Sequence, residues 1–427
     1  MRPIFFAHLL LILGIGLFAT LMPEVPQAKT GGPISLGDTA WMLTASALVL
    51  LMNPGLSFFY GGMVRKKNVI STMLQSMVAM GVITVTWVAV GFSLCFGESM
   101  GGIIGNPLTF FMYRGVGMAT HPDFSPTIPF ALFSLFQLKF AIITPALISG
   151  AFAERVKFSS YLIFMVLFSL LIYAPLAHMT WHPEGLFRQW GVLDFAGGTV
   201  VHISAGMAAL AGSIYLGPRQ DRSHEAAHIP YVILGTGLLW FGWFGFNAGS
   251  ALGANETATL AFMNTNTASA VAMITWMFIE SLRGKKLSAL GACIGAVVGL
   301  VAITPAAGFV SIGASILIGF IASALSNLAL SLKSRTEIDD TLDVFPCHGL
   351  GGIVGMFLTG VFAKDVGLLY GETKTFTFHL IALLIVMAFT FGGSFVLYYL
   401  CNFTRPLRVT AEEELIGLDL SQHGEHV

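Results

Sequence analysis

Two stretches decide the fold: DFAGGTVVHISAGMAAL, residues 194–210, and DVFPCHGLGGIVGMFLTG, residues 343–360. Each opens with an Asp, reaches a histidine (His202 or His348) within one to three helical turns, and continues through small, apolar residues. A charged side chain inside a membrane helix costs roughly 2.5–3.5 kcal/mol on insertion scales. Two ionisable residues at matching places in two apolar runs therefore point to a proton-handling path through a membrane protein with two related halves.

Composition agrees. The chain has 427 residues, 55% hydrophobic and 10% charged, with mean hydropathy +0.80, whereas soluble domains are about one quarter charged. The fold class is all-α and polytopic. A spanning helix needs about 20 apolar residues. Eleven candidates are expected, at about 39–61, 69–96, 127–151, 159–181, 197–216, 229–248, 256–281, 287–304, 309–331, 344–363 and 376–402. They form a transmembrane domain over 38–402, preceded by residues 1–28 and followed by a polar tail, 403–427. Arg2 and the apolar run after it read as a signal peptide, with an uncleaved extra helix as the alternative.

Charge placement orients the chain. With the first span entering from outside, the inner connections and tail hold fourteen Lys and Arg, and the outer connections hold only Arg114, Arg188, Lys364 and Lys374. That is the positive-inside bias, with the mature N-terminus outside and the tail in the cytoplasm. The two Asp-to-His segments fall in the fifth and tenth spans. Five spans per half is an odd number, so the repeats, about 39–216 and 229–363, are inverted, with the path at their interface. The eleventh span, 376–402, exceeds the thickness of the bilayer core and is expected to tilt.

The other histidines fall in loops or at segment ends. Asp194 has two readings that stay open together, a helix N-cap and a buried negative charge near a cation. Asp343 is read as its repeat partner. Phe136 and Phe140 in the third span, Trp181 ending the fourth, and Phe246 with Ser250 ending the sixth can form an aromatic mouth. There a cation is held by ring faces and a hydroxyl, although interfacial belts also collect Trp. The four cysteines, Cys95, Cys293, Cys347 and Cys401, have no CxxC or CxH spacing, so neither a metal site nor a disulfide framework is expected. HExxH, GxSxG and the P-loop are absent, which argues against an enzyme. A bis-histidine cytochrome would need further axial pairs and an aryl-rich slot, so no cofactor is expected. Nothing points to nucleic acid.

The strings ALVLLMNPGLSFFYGGMVRKKN (47–68), AFAERVKF (151–158), DFAGGTVVHI (194–203), WFGFNAGSA (243–251), DVFPCHG (343–349) and GLDLSQHGE (417–425) resemble, in order, the bacterial Amt branch of the Amt/Mep/Rh ammonium transporter superfamily. The resemblance implies an ammonia channel without cofactor or metal, which recruits NH4+ (or methylammonium as analogue), deprotonates it and conducts NH3, with or without coupled H+. It implies recruitment by Trp181, Phe140, Ser250 and Asp194 and a gate of Phe140, Phe246 and Phe136. It further implies the twin-His pair His202 and His348 and a pore-lining Trp243. It implies a homotrimer in the bacterial cytoplasmic (inner) membrane. Its regulatory tail, where Arg405, Gly417 and Asp419 lie, would answer to a cytoplasmic PII signal protein. Lys139, beside Phe140, departs from the small or polar residues common there. If it faced the mouth, an ammonium sensor with low flux would be the alternative.

Overall fold

The computed structural model describes residues 3–223 and 225–427, with side chains from residue 9 onward; Arg2 and His224 lie outside the described residues. Helix α1 (Pro3–Leu21) comes first. Five long helical segments follow: α2 (Leu36–Met63), α3 (Lys66–Phe96), α4 (Phe130–Phe152), α5 (Phe158–Gln189) and α6 (Gly198–Leu216). The second set comprises α7 (Ile229–Gly249), α8 (Glu256–Leu282), α9 (Ala289–Ile303), α10 (Ile312–Lys333) and α11 (Phe345–Phe362). Helix α12 (Thr373–Thr404) and a short α13 (Ala411–Ile416) end the chain.

Every expected span coincides with a helix. Nine among the described residues, α2–α7 and α10–α12, are long and apolar enough to cross a membrane. The other two differ for local reasons. Helix α8 carries Asn264, Asn266 and several Thr along its length, and α9 has only 15 residues. Starts are set by side-chain caps: Ser35, His228, Asn255, Ser288 and Ser311 each accept a backbone N–H from the first turn of α2, α7, α8, α9 and α10. At 1.5 Å per residue, α12 is about 48 Å long, more than a ~30 Å core accommodates upright.

In lipid, tight packing between helices replaces the hydrophobic drive, and small residues allow it. A Cβ on Gly235 of α7 would lie 2.3 Å from the Phe59 nitrogen of α2. A Cβ on Gly206 of α6 would lie 2.2 Å from the Gly349 Cα of α11. The second contact sits one turn beyond His202 and directly after His348.

The two ends of the bundle differ. At the tail end, buried ion pairs tie four connections together. Glu154 meets Arg65 at 2.6 Å and Arg219 at 3.0 Å, and Arg219 meets Asp339 at 2.9 Å. Burial alone would push the Asp339 carboxyl up, but the Arg219 guanidinium outweighs it and holds it at about 2. At the opposite end, the segment between α3 and α4 forms two short hairpins. They are β1 (Ser99–Met100) with β2 (Ile104–Gly105), and β3 (Thr120–His121) with β4 (Ser125–Pro129). The segment before α2 is tied to β3: Gly31 N–H and the Gln27 amide both donate to the Thr120 carbonyl.

Gly206→Ala is expected to force α6 from α11, an overpacking that costs about 1–3 kcal/mol. A lower melting midpoint by fluorescence-detected size-exclusion chromatography, beside an unaltered Gly237→Ala control in open space, checks this.

Candidate functional site

The site is built first from the starts of α6 and α11. The Asp194 carboxylate accepts from Gly197 N (2.8 Å), Gly198 N (2.7 Å), Thr199 N (2.7 Å) and the Thr199 hydroxyl. Its charge therefore stabilises the helix start directly. Gly197, at φ 111°, makes the left-handed turn that delivers those amides. A π-helical turn over Gly198–Ile203 follows and carries His202. The same device recurs at Phe345–Gly349, which carries His348. Single π-turns inside α-helices are frequent at functional sites because they re-aim side chains.

The structure corrects one pairing. Asp343 is not the counterpart of Asp194: it sits at φ 59° and pairs with Lys333. Asp340 caps α11 instead, accepting from Val344 N at 3.0 Å and Phe345 N at 2.7 Å. Asp340 precedes His348 by the same eight residues that separate Asp194 from His202. Equal offset from the histidine was the signal available in the sequence.

The two rings meet. His202 Nδ1 lies 3.4 Å from His348 Nδ1, with the rings near parallel at 24°. Both residues are buried, and His202 Nε2 is a buried atom without a partner among the described residues. Trp243 stacks on His202 (centroids 5.3 Å, 19°), and its indole N–H donates to the Thr304 hydroxyl at 2.9 Å. Thr304 was not singled out from sequence.

Above this pair, at the end opposite the tail, a vestibule of about 750 Å³ is lined by Phe133, Gln137, Phe140, Trp181, Asp194 and Ser250, among others. Its floor is a stack of Phe140 on Phe246, centroids 4.1 Å apart. Trp181 meets Phe140 edge-on at 5.8 Å and is held by an indole N–H donated to the Asp194 carbonyl at 3.2 Å. The Ser250 hydroxyl donates to the Phe246 carbonyl at 2.9 Å, which leaves its lone pairs free. Phe136, expected in the gate, lines neither the vestibule nor the cavity below. It braces Phe140 edge-on at 5.0 Å and packs over Gly249. Lys139 is buried on α4 and is likewise absent from the lining of both cavities.

Below the phenyl stack are two cavities of about 10 Å³ each, the threshold for one water-sized molecule. The upper is lined by His202, Trp243, Phe246 and His348; the lower, toward the tail, by Tyr60, Met63, Leu342, Cys347 and His348.

At the tail end, Asp419 accepts from Ile70 N (3.0 Å) and Ser71 N (2.8 Å), so it caps the α3 helix. Burial pushes its carboxyl up against the pull of those amides. Gly417, at φ 107°, lies against Lys67, where a Cβ would come within 2.6 Å. Arg405 has no side-chain hydrogen bond among the described residues. The anchoring arginine is Arg408, which donates to the Leu216 and Pro218 carbonyls and pairs with Glu414 at 2.9 Å.

A wide mouth that narrows between packed helices to single-molecule cavities defines a transmembrane conduit for a small solute. Comparison with known proteins makes the class specific: the Ammonium Transporter Family matches residues 40–427, and the chain belongs to that family. It is 46% identical to an ammonium transporter of Bacillus subtilis over 401 residues, 92% of this chain and 98% of that protein. It is 46% identical over 402 residues to a protein of Methanothermobacter thermautotrophicus described as a putative ammonium transporter, with the same coverage of both chains. Among solved structures, Saccharomyces cerevisiae Mep2 superposes with a TM-score of 0.84 at 35% identity, covering 89% of this chain and 88% of that one. The protein is therefore a multi-pass membrane transport protein and not an enzyme.

Asp340→Ala is expected to weaken the α11 cap by about 1–2 kcal/mol and to lower substrate uptake, while Asp343→Ala changes both far less. Thermal unfolding and uptake of the two variants side by side check the reassignment.

Proposed function

We propose that this protein carries ammonium across the bilayer by holding NH4+ in the vestibule, removing its proton and conducting NH3 past the paired imidazoles. The observation that carries this reading is the His202–His348 contact at 3.4 Å between cavities of about 10 Å³. At the mouth, the Trp181 and Phe140 rings attract a cation by ~0.5–2 kcal/mol. The Ser250 lone pairs accept one of its N–H groups. Asp194 acts through its charge and by fixing Trp181, since its carboxylate oxygens are already engaged by α6. Below the stacked phenyls there is no room for a hydration shell, and a bare cation there would be penalised by far more than the mouth returns. NH4+ can lose its charge by losing a proton, and NH3 then fits. K+ has no such escape, so deprotonation provides selectivity.

The histidine pair suits NH3 because one Nδ1 donates while the other accepts, and the arrangement reverses when a proton moves along the pair. The same pair can relay the released proton, so coupled NH3/H+ movement rests on it too.

We place the vestibule outside and the tail in the cytoplasm of a bacterial inner membrane, on the Lys and Arg distribution. Eleven spans form two inverted five-helix repeats, in keeping with the packing of α2 on α7 and α6 on α11. Residues 1–28 serve as signal peptide. Three chains form a homotrimer, and the docked tail answers to a PII signal protein.

Ammonium-evoked currents on proteoliposomes at a solid-supported membrane test the mechanism. The paired substitution His202→Ala/His348→Ala is expected to abolish proton-coupled current; undiminished current in that variant refutes the role of the pair. Deleting 403–427 is expected to lower uptake and remove PII-dependent shut-off, and a truncated protein with both intact refutes the tail's role.

A further inference from the structure

Two buried polar residues line the vestibule, Asp194 and Gln137, and they differ in what they bond. The Asp194 carboxylate is engaged by the amides and the hydroxyl at the start of α6. Gln137 is 9% exposed, and its side chain makes no hydrogen bond among the described residues; Oε1 is a buried atom without a partner. Buried polar atoms are rarely left so, because an orphaned amide oxygen carries a desolvation cost that a donor removes.

The place of this amide in the fold selects its partner. Phe133, Gln137 and Phe140 all line the vestibule. Spaced by four and three residues, they form one stripe along α4. Gln137 therefore sits about 4.5 Å along the helix axis on the mouth side of Phe140, whose ring makes the floor with Phe246. Aromatic faces attract cations and disfavour anions, so what comes to rest between these rings carries positive charge. The terminal torsion of a glutamine is broad and roughly two-fold, and the free amide can turn either Oε1 or Nε2 toward an entrant. Toward a cation with N–H groups, Oε1 is the end that accepts.

We propose that Gln137 is a further substrate-binding residue: its Oε1 accepts an N–H from the ammonium ion one helical turn above the phenyl floor. The proposal rests on the reading of the vestibule as the entrance for ammonium. With the Ser250 hydroxyl, the amide then replaces two of the waters that the ion sheds before the stack. A neutral acceptor suits this position. A carboxylate would hold the cation by its full charge, whereas an amide gives one directed bond that is readily released. The side chain is already packed, so it loses little rotamer freedom when the ion arrives.

Ammonium-evoked currents on proteoliposomes, read against ammonium concentration, test this in Gln137→Met, Gln137→Glu and Trp181→Leu. Gln137→Met keeps the length of the side chain and removes the acceptor. It is expected to raise the half-saturating concentration about tenfold, the loss of one hydrogen bond to an ion, with a smaller change in maximal current. Gln137→Glu keeps an acceptor in the same place and is expected to saturate at or below the concentration of the unaltered protein. If Gln137→Met is lost on size-exclusion chromatography, Gln137→Glu decides, and a raised half-saturating concentration there overturns the proposal. A loss of maximal current alone in both variants assigns Gln137 to packing and overturns it too. Unchanged half-saturation in Gln137→Met, beside a rise in Trp181→Leu, overturns the proposal and leaves the entrance reading standing. Unchanged half-saturation in both Gln137→Met and Trp181→Leu overturns the entrance reading as well.

Discussion

The conduit depends on one backbone contact, Gly206 against Gly349. No side chain intervenes there, so α6 and α11 touch directly, and this brings His202, one turn from Gly206, beside His348, the neighbour of Gly349. Glycine in the middle of a helix costs roughly 1 kcal/mol relative to alanine in water. In lipid that penalty is outweighed by the close packing it permits. Gly352 extends the same seam, since a Cβ there would lie 3.1 Å from the His202 Cβ.

Around that contact, polar groups are handled by local satisfaction. Asp194 and Asp340 each accept two or more main-chain amides at the start of a buried helix. The negative charge then meets the positive end of the helix dipole, which offsets part of the cost of burying it. The π-turns that follow rotate each histidine relative to the helix it extends. Trp243 is held in plane by Thr304, and Trp181 by the Asp194 carbonyl. Both indoles are thus fixed at their polar edges.

Much of this was legible in the chain itself. Hydropathy and length placed a helix at every expected span, with ends displaced by a few residues, and the continuous helix of the fourth stops at Trp181 as expected, because His182 leaves the helical conformation. The two histidines were legible as a pair because an ionisable residue in an apolar run is costly. The partner of Asp194 was less plain, because two acidic residues, Asp340 and Asp343, precede His348; the equal eight-residue offset favours Asp340, and the hydrogen bonds separate the cap from the lysine pair. The same holds for Phe136 and Phe140. They lie one turn apart on a helix that is apolar all round, and periodicity alone does not separate the ring in the floor from the ring behind it. Arg405 and Arg408 stand in the same relation. Lys139 looked troubling by adjacency to Phe140, but successive residues on a helix point about 100° apart, and the vestibule is lined without it.

The floor of the vestibule has a kinetic meaning. With Phe140 and Phe246 stacked face to face at 4.1 Å, the static molecule has no continuous channel, only a sealed mouth above isolated pockets. On the proposed route, a crossing waits for an aromatic side chain to swing aside within a close-packed interior, a thermally activated event. Throughput by that route is then capped by the tempo of ring motion.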